Sequence, residues 1–389
     1  MPFEYTQGKR LLEAARKERA PERFYNDLRE AFAKGELRSE DFSLKRLFTT
    51  FVEDGHQIVE SFDPRSGGNS VQLREANVET SAFSNITGQI VYNELMQAFE
   101  NPALIGSQLM DTVPTSFDGE KIAGVSLLAD DVDTVGESKP YPRAGVREDW
   151  VETPQTTKRG FIIPVTKEAI FFDRTAQVLD HCRGGMQVMA LNKEKRIIDA
   201  VTGVTTIYNR KGRGLTATYG DNSGNHDWDN LAASNALQDW TDIENVMLLF
   251  DAMTDPNTGE PIMLPPELQV LVPSALSATL ARIISATEFR AVTNTSNTTI
   301  GANPLAYLNR QVVPISSPYV KARTSSDSTW FAGAFKKAFK YMENWGPTMV
   351  EAPTGSYEEF NYDVVAQFKT SERGTPACVE PRYVVKCTQ

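Results

Sequence analysis

Residues 132–145 (VDTVGESKPYPRAG) contain almost no large apolar side chain. They sit between two runs that read as strands, Lys121 to Leu128 and Arg159 to Val165. Two strands bracketing a long polar tip describe a hairpin that projects from its own body. An isolated two-stranded ribbon is marginal in water, so this one requires a neighbouring surface to lie on. The chain is therefore expected to fold as a body carrying an arm that its own core cannot stabilise.

The body begins just after the hairpin. Asp173 to Thr202 is the longest helical run, with Leu179, Cys182, Met186, Met189, Ile197 and Val201 on one face at three- and four-residue steps. Asp173 suits its cap, Gly203 ends it, and Gly184-Gly185 in the middle predicts a bend. After a Gly-, Asn- and Thr-rich stretch (204–240), a second module reads as helix 242–252, a turn at Asp255 to Gly259, strand 268–272 and helix 274–285. A polar loop (294–303) and a strand (310–315) follow, and 329–386 alternates strands with turns. Upstream, a short helix is expected over 87–100.

The first sixty residues read as two charged amphipathic helices. Pro21 opens one and Gly35 stops it; Ser39 caps the next, whose apolar face carries Leu44, Leu47, Phe48, Phe51 and Val52. Residues 1–54 hold eleven basic and eleven acidic side chains, so this segment is neutral and the net charge of −11 sits in the remainder. Such a balance argues against a protein built mainly to grip a phosphate backbone. A helix-turn-helix is the rival reading of the pair, a packing or partner-binding arm the ordinary one. No window carries the roughly 18 apolar residues of a membrane span. Met1 to Arg10 lack a secretory signal's apolar centre, so the product is expected in the cytoplasm. Cys182, Cys378 and Cys387 are odd in number and widely spaced, which suits neither a disulfide framework nor a zinc site.

Chemistry-bearing patterns are sparse. Asp180-His181-Cys182 resembles a nucleophile beside its base, but consecutive helical residues point about 100° apart. Cys182 also falls on the apolar face. His56 and His226 lack Cys or His at ligand spacing, and neither HExxH nor CxxC occurs. Lys211-Gly212-Arg213-Gly214 reads as a turn, not a phosphate cradle, and no GxSxG elbow is present. No catalytic residue, metal ligand or cofactor is expected.

The order of these elements resembles the major capsid proteins of tailed bacteriophages with the HK97-type fold, over about residues 85 to 389. Lys158 to Asp173 (KRGFIIPVTKEAIFFD) is similar to that family's return strand running into the long spine helix. Leu268 to Ile284 resembles its strand-Pro-helix unit, Trp330 to Glu351 its strand, Gly-containing turn and strand, and Val379 to Lys386 its closing strand.

The resemblance implies an α+β fold with an N-terminal helical segment (1–62), N-arm (63–117), extended E-loop (118–166), P-domain with spine helix (167–235), A-domain (236–328) and strands returning to the P-domain (329–389). The E-loop would lie over an adjacent subunit through Glu137, Lys139, Tyr141 and Arg143 at its tip. Leu44, Leu47, Phe48 and Phe51 would offer a helical contact face. The implied function is self-assembly through homo-hexamers and homo-pentamers into an icosahedral head in the bacterial host cytoplasm. The implied partners are portal and scaffolding proteins and packaged double-stranded DNA, held non-specifically, with no membrane. An encapsulin-like nanocompartment with enzyme cargo shares the fold; the chain's length and N-terminal segment favour the phage reading. Lys139 and Lys158 match no cross-linking motif, and no cross-link is expected.

Overall fold

A computed structural model describes residues 104–123, 150–172, 174–223, 226–255, 259–263, 265–294, 297–306, 311–352 and 364–389, together with 43–45, 87–88, 90–91, 135 and 137. The chain divides into two compact units. One comprises residues 1–102, 158–191 and 346–372; the other comprises 103–157, 192–345 and 373–389.

In chain order the described elements are α1 (Gly106–Leu109), β1 (Asp111–Pro114), β2 (Lys121–Ala123), β3 (Trp150–Glu152), β4 (Thr157–Thr166), α2 (Lys167–Phe171) and α3 (Thr175–Val201). They continue with β5 (Tyr208–Arg210), β6 (Gly214–Thr216), β7 (Leu231–Ala232), α4 (Trp240–Ala252), β8 (Glu267–Val272), α5 (Ser274–Ser285), β9 (Glu288–Asn294), β10 (Asn297–Ala302) and β11 (Gln311–Ser316). The last are α6 (Pro318–Thr324), β12 (Trp330–Gly333), α7 (Phe335–Ala338), β13 (Phe339–Glu351), β14 (Val364–Cys378) and β15 (Val384–Cys387). The class is α+β: a ten-residue strand, a short helix, a 27-residue helix, a strand-Pro-helix unit and closing strands follow one another in chain order.

The larger unit is organised by the five-stranded sheet β11-β8-β12-β15-β7. Its strands alternate sides with period two. Leu268, Val270 and Val272 join Trp330, Ala332, Val385 and Cys387 on one face. There they meet Ile243, Val246 and Phe250 of α4 and Leu280 and Ile283 of α5. On the other face, Leu271, Phe331 and Val384 pack with Ile197 and Val201 of α3, Tyr208, Trp228, Phe335 and Phe339. A sheet buried on both faces reads as nearly continuous apolar runs, as in LQVLV (268–272) and WFA (330–332). Helix α4 starts at a capping box: Asp239 accepts from Thr241 N at 2.8 Å, and Asp242 accepts from Asp239 N at 2.9 Å.

The smaller unit takes the first seventeen residues of α3, from Thr175 to Leu191, with β4, α2 and segments of β13 and β14. Along β4, Ile163 and Val165 are buried while Ile162 and Pro164 are exposed. Thr166 caps α2 by accepting from Ala169 N at 3.2 Å. Leu44, Ile90, Val91, Val178 and Leu179 close around a small apolar space beside Thr87 and Thr175. All six residues assigned to the apolar face of the long helix are buried.

Three expectations are corrected. The polar stretch 294–303 is not a loop: β9 and β10 pair as an antiparallel hairpin. Its threonines and asparagines hide the strands because polar residues carry no hydrophobic alternation. The run Arg159 to Val165 is a strand, but it does not return against β2. Instead β2 pairs with β3, Lys121 opposite Glu152 and Ala123 opposite Trp150, while β4 pairs with β14 in the sheet β1-β13-β14-β4. Three residues are too few to show a period between charged neighbours and Pro154. Helix α2, unforeseen, occupies the end of the KRGFIIPVTKEAIFFD run. Helix α3 runs through Gly184 and Gly185 without a break in its assignment. Gly185 answers a packing need: a Cβ there would lie 2.6 Å from the Phe161 ring. Asp173, the expected cap, lies outside the described residues, as do Leu47, Phe48, Phe51, Lys139, Tyr141 and Arg143.

Candidate assembly surfaces

Strands β2 and β3, on either side of residues 124–149, belong to the larger unit and are tightly bonded to their surroundings. Strands β2 and β3 continue through β5 into β6 as one four-stranded sheet. Just before β2, Asp118 accepts from both the backbone N–H and the hydroxyl of Thr156, at 2.8 and 2.9 Å. Arg373 pairs with the same carboxylate at 3.0 Å and donates to Thr156 Oγ1 at 2.8 Å. Glu120 N donates to Thr153 Oγ1, and Thr153 N to the Glu120 carbonyl, both at 2.8 Å. Asn344 Nδ2 donates to the carbonyls of Thr115 and Phe117, each at 3.0 Å. Gly119 turns the chain at φ +87°, a conformation that disfavours a side chain. The two ends of the segment 124–149 therefore leave from fixed points.

The hydrogen bonds from Thr156, with Arg373 beside them, hold the Asp118 carboxyl below its usual range. A depressed carboxylate contributes stability that is complete above the unfolded value and is lost as pH falls through the folded one. Asp118→Asn should therefore lower the melting temperature at pH 7. The deficit should close on acidification below about pH 4; thermal melts across that range check it.

A second anchor joins the start of the described body to the long helix. Both oxygens of Glu194 accept backbone N–H groups, from Ile105 at 3.0 Å and Gly106 at 2.8 Å, at the entrance to α1. Burial raises the Glu194 carboxyl, against the lowering effect of those two bonds. Gly106 is needed for the approach, since a Cβ would fall 2.7 Å from Glu194 Oε2. Farther along the helix, Lys193 pairs with Glu343 at 3.0 Å, and Arg196 donates to Tyr341 OH at 3.0 Å and to the Gly374 carbonyl at 3.2 Å.

A buried ionic cluster stiffens the same unit near its C-terminal strand. Arg382 and Glu380 are both almost completely buried and pair at 2.9 Å. Arg210 lies 4.0 Å from the other Glu380 oxygen, and the Arg382 guanidinium sits 5.2 Å from the Trp228 ring centre. Burial pushes the Glu380 carboxyl up, and Arg382 and Arg210 draw it back.

The surface carries apolar side chains without cover: Phe117, Leu215, Leu248 and Met263 on the larger unit, and Ile162, Phe172, Val188 and Val350 on the smaller. Of the expected contact residues, Glu137 is exposed in a turn. Leu44 is buried, and its N–H donates to Thr175 Oγ1 at 2.9 Å. The sequence pattern pointed to neither the Asp118 clamp nor the Glu194 anchor. The Asp180-His181-Cys182 triplet splits as its helical spacing requires, with His181 exposed and Cys182 buried. Lys211 to Arg213 form the turn between β5 and β6, with Gly212 and Gly214 at positive φ. Among the described residues, no helix is long and apolar enough to cross a membrane, and no group of three or more His, Cys, Asp or Glu could hold a metal ion.

The model of the phage capsid protein family matches residues 150–387, from β3 to the last strand. The chain belongs to that family; it is a capsid shell protein, and its place is the capsid of the virion. A sequence search of curated proteins finds no match. Among solved structures, the chain is similar to the capsid of cyanophage Pam1, at 12% identity over 70% of this chain and 85% of that one, with a TM-score of 0.41. It is similar to a protein of Gordonia phage Cozz at 12% identity, over 73% and 85%, with a TM-score of 0.42. It is also similar to the SrpI encapsulin of Synechococcus elongatus at 11% identity, over 74% and 87%, with a TM-score of 0.39. Likenesses this distant add nothing to the family assignment.

Proposed function

We propose that the chain is the major subunit of an icosahedral phage head, assembling through hexamers and pentamers around double-stranded DNA in the host cytoplasm. Its work is repeated contact, not catalysis. Copies of itself are the main partners, with portal and scaffolding proteins at assembly and weak, non-specific contact with DNA, in keeping with the net charge of −11. The family match over 150–387 carries the reading.

In this scheme residues 118–166 are the E-loop, 167–235 with 329–389 the P-domain and 236–328 the A-domain, preceded by a helical segment (1–62) and an N-arm (63–117). The loop lies on the next subunit through Glu137, Lys139, Tyr141 and Arg143, and Leu44, Leu47, Phe48 and Phe51 serve the helical segment's contacts. The clamp of Asp118, Thr156 and Arg373 supports this assignment: a fixed root lets a long arm reach a neighbour at a defined angle. Ordering of the arm is then coupled to association.

Replacing residues 128–147 by a short Gly-Ser linker tests the reading. The expected product melts within a few degrees of the parent chain but elutes as a monomer and forms no shells. Shells of normal size from the shortened chain would sink the E-loop assignment.

A further inference from the structure

We propose that the outer face of α4 on one copy docks against a lysine patch at α7 on the next, a head-to-tail contact that closes subunits into rings. The contact presupposes the ring-forming subunit proposed above and supplies the surfaces such a ring needs. Helix α4 (WTDIENVMLLFDA) carries three acidic side chains and no basic one, and Asp239 caps it. Ile243, Val246 and Phe250 turn inward, onto one face of the five-stranded sheet. Glu244, Leu248 and Asp251 follow one another at four- and three-residue steps on the exposed side, over about 10 Å of helix.

Leu248 is 60% exposed between the two carboxylates, beside a groove lined by Ala232, Ser234, Asn245 and Leu249. A lysine suits such a stripe, because its apolar stem can cover the leucine while its ammonium reaches an acid. One exposed base, Arg282, lies in the last turn of α5, which packs on the same face of the sheet. The basic patch is built from Lys336 and Lys337 of α7 and Lys340 at the start of β13. Lys336 and Lys340 share the Asp111 carboxylate, at 3.2 and 3.1 Å, and Lys337 stands 5.3 Å from the centre of the Tyr383 ring. Three lysines within five residues are thus offset by one carboxylate, in a chain whose net charge is −11.

The two patches lie on opposite sides of one body. Phe335 and Ala338 anchor α7 in the core on the other face of the sheet from α4. The acidic stripe and the lysines therefore do not satisfy each other within a chain. A body that is acidic on one side and basic on the other joins its copies head to tail, and such heterologous contacts close into rings where the rotation allows. Complementary charge also fixes the register of the encounter and rejects the reversed one.

Charge reversal in the full-length chain, read by sedimentation and electron microscopy, tests this. Glu244→Lys with Asp251→Lys, or Lys336→Glu with Lys337→Glu, should each lower the assembled fraction roughly tenfold or more while the melting temperature stays near that of wild type. All four substitutions together restore complementarity and should restore assembly. An equimolar mixture of the two paired variants is the most exacting case. Its neighbours must alternate, so six-membered rings form, five-membered rings do not, and tubes or flat sheets replace closed shells. Paired variants that assemble as wild type does overturn the contact and leave the lysines for a polyanion such as DNA. A mixture that assembles no better than its components also overturns it. A wild-type chain that forms no rings would instead overturn the ring-forming reading itself.

Discussion

Gly333→Ala should yield little or no soluble protein, and any recovered fraction should be destabilised by on the order of 4 kcal/mol or more. Gly333 ends β12, a central strand of the sheet buried on both faces, and pairs with Val384 of β15. Its φ is +150°, a conformation side chains rarely adopt. A Cβ there would meet the Tyr383 carbonyl oxygen at 2.1 Å and Val384 Cα at 2.8 Å. Both obstacles are backbone, so no rotamer change relieves the clash; β12 and β15 must separate. That movement would open the packing of Trp330 and Phe331 on opposite faces, both fully buried. Soluble yield and the urea midpoint are the measurements. A midpoint within experimental error of wild type would show that the two strands are not so closely joined.

Arg382→Met should cost roughly 3–5 kcal/mol, because it leaves the Glu380 carboxylate buried with one distant cation. The two side chains are 1% and 3% exposed, so water cannot take over the lost contact. Arg210 remains, 4.0 Å from the carboxylate. The sign of the pH dependence follows. With Arg382 gone, the folded-state pKa of Glu380 rises further above its unfolded value. Stability is then complete below the unfolded value, about 4.3, and is lost as pH climbs through the folded one. The variant should thus be closer to wild type at about pH 5 than at pH 7.5. Adding Glu380→Gln to Arg382→Met should restore part of the loss at neutral pH, since a neutral amide needs no counter-charge. Parallel denaturation curves for the single and double variants decide this. A double variant no more stable than the single would mean that the cost of Arg382→Met is lost packing on Trp228 and not an orphaned charge.

What could be read in the sequence was local. The buried stripe of α3, from Leu179 to Val201, repeats at helical spacing and needs no partner to be recognised. Strand β8 and helix α5 announce themselves through LQVLV and the proline that separates them. What escaped depends on distant residues. Glu194 looks like a surface carboxylate on a charged helix until Ile105 and Gly106, nearly ninety residues earlier, present their N–H groups to it. Asp118 finds Arg373 only after the whole body has folded. Gly160 reads as a weak point in a strand, yet a Cβ there would lie 2.2 Å from the Thr370 carbonyl oxygen. Strand β3 was missed for a different reason, being three residues long among charged neighbours. Of the expected assembly contacts, the tip residues Glu137, Lys139, Tyr141 and Arg143 rest on the family resemblance, which implies an arm without saying what it touches.

Electron microscopy of the full chain expressed alone, beside its size-exclusion profile, tests the central claim most directly. Closed shells, tubes, or five- and six-membered rings, eluting far ahead of a 43.2 kDa monomer, are the predicted result. A strict monomer at high concentration, failing to assemble even with a scaffolding protein supplied, would contradict it.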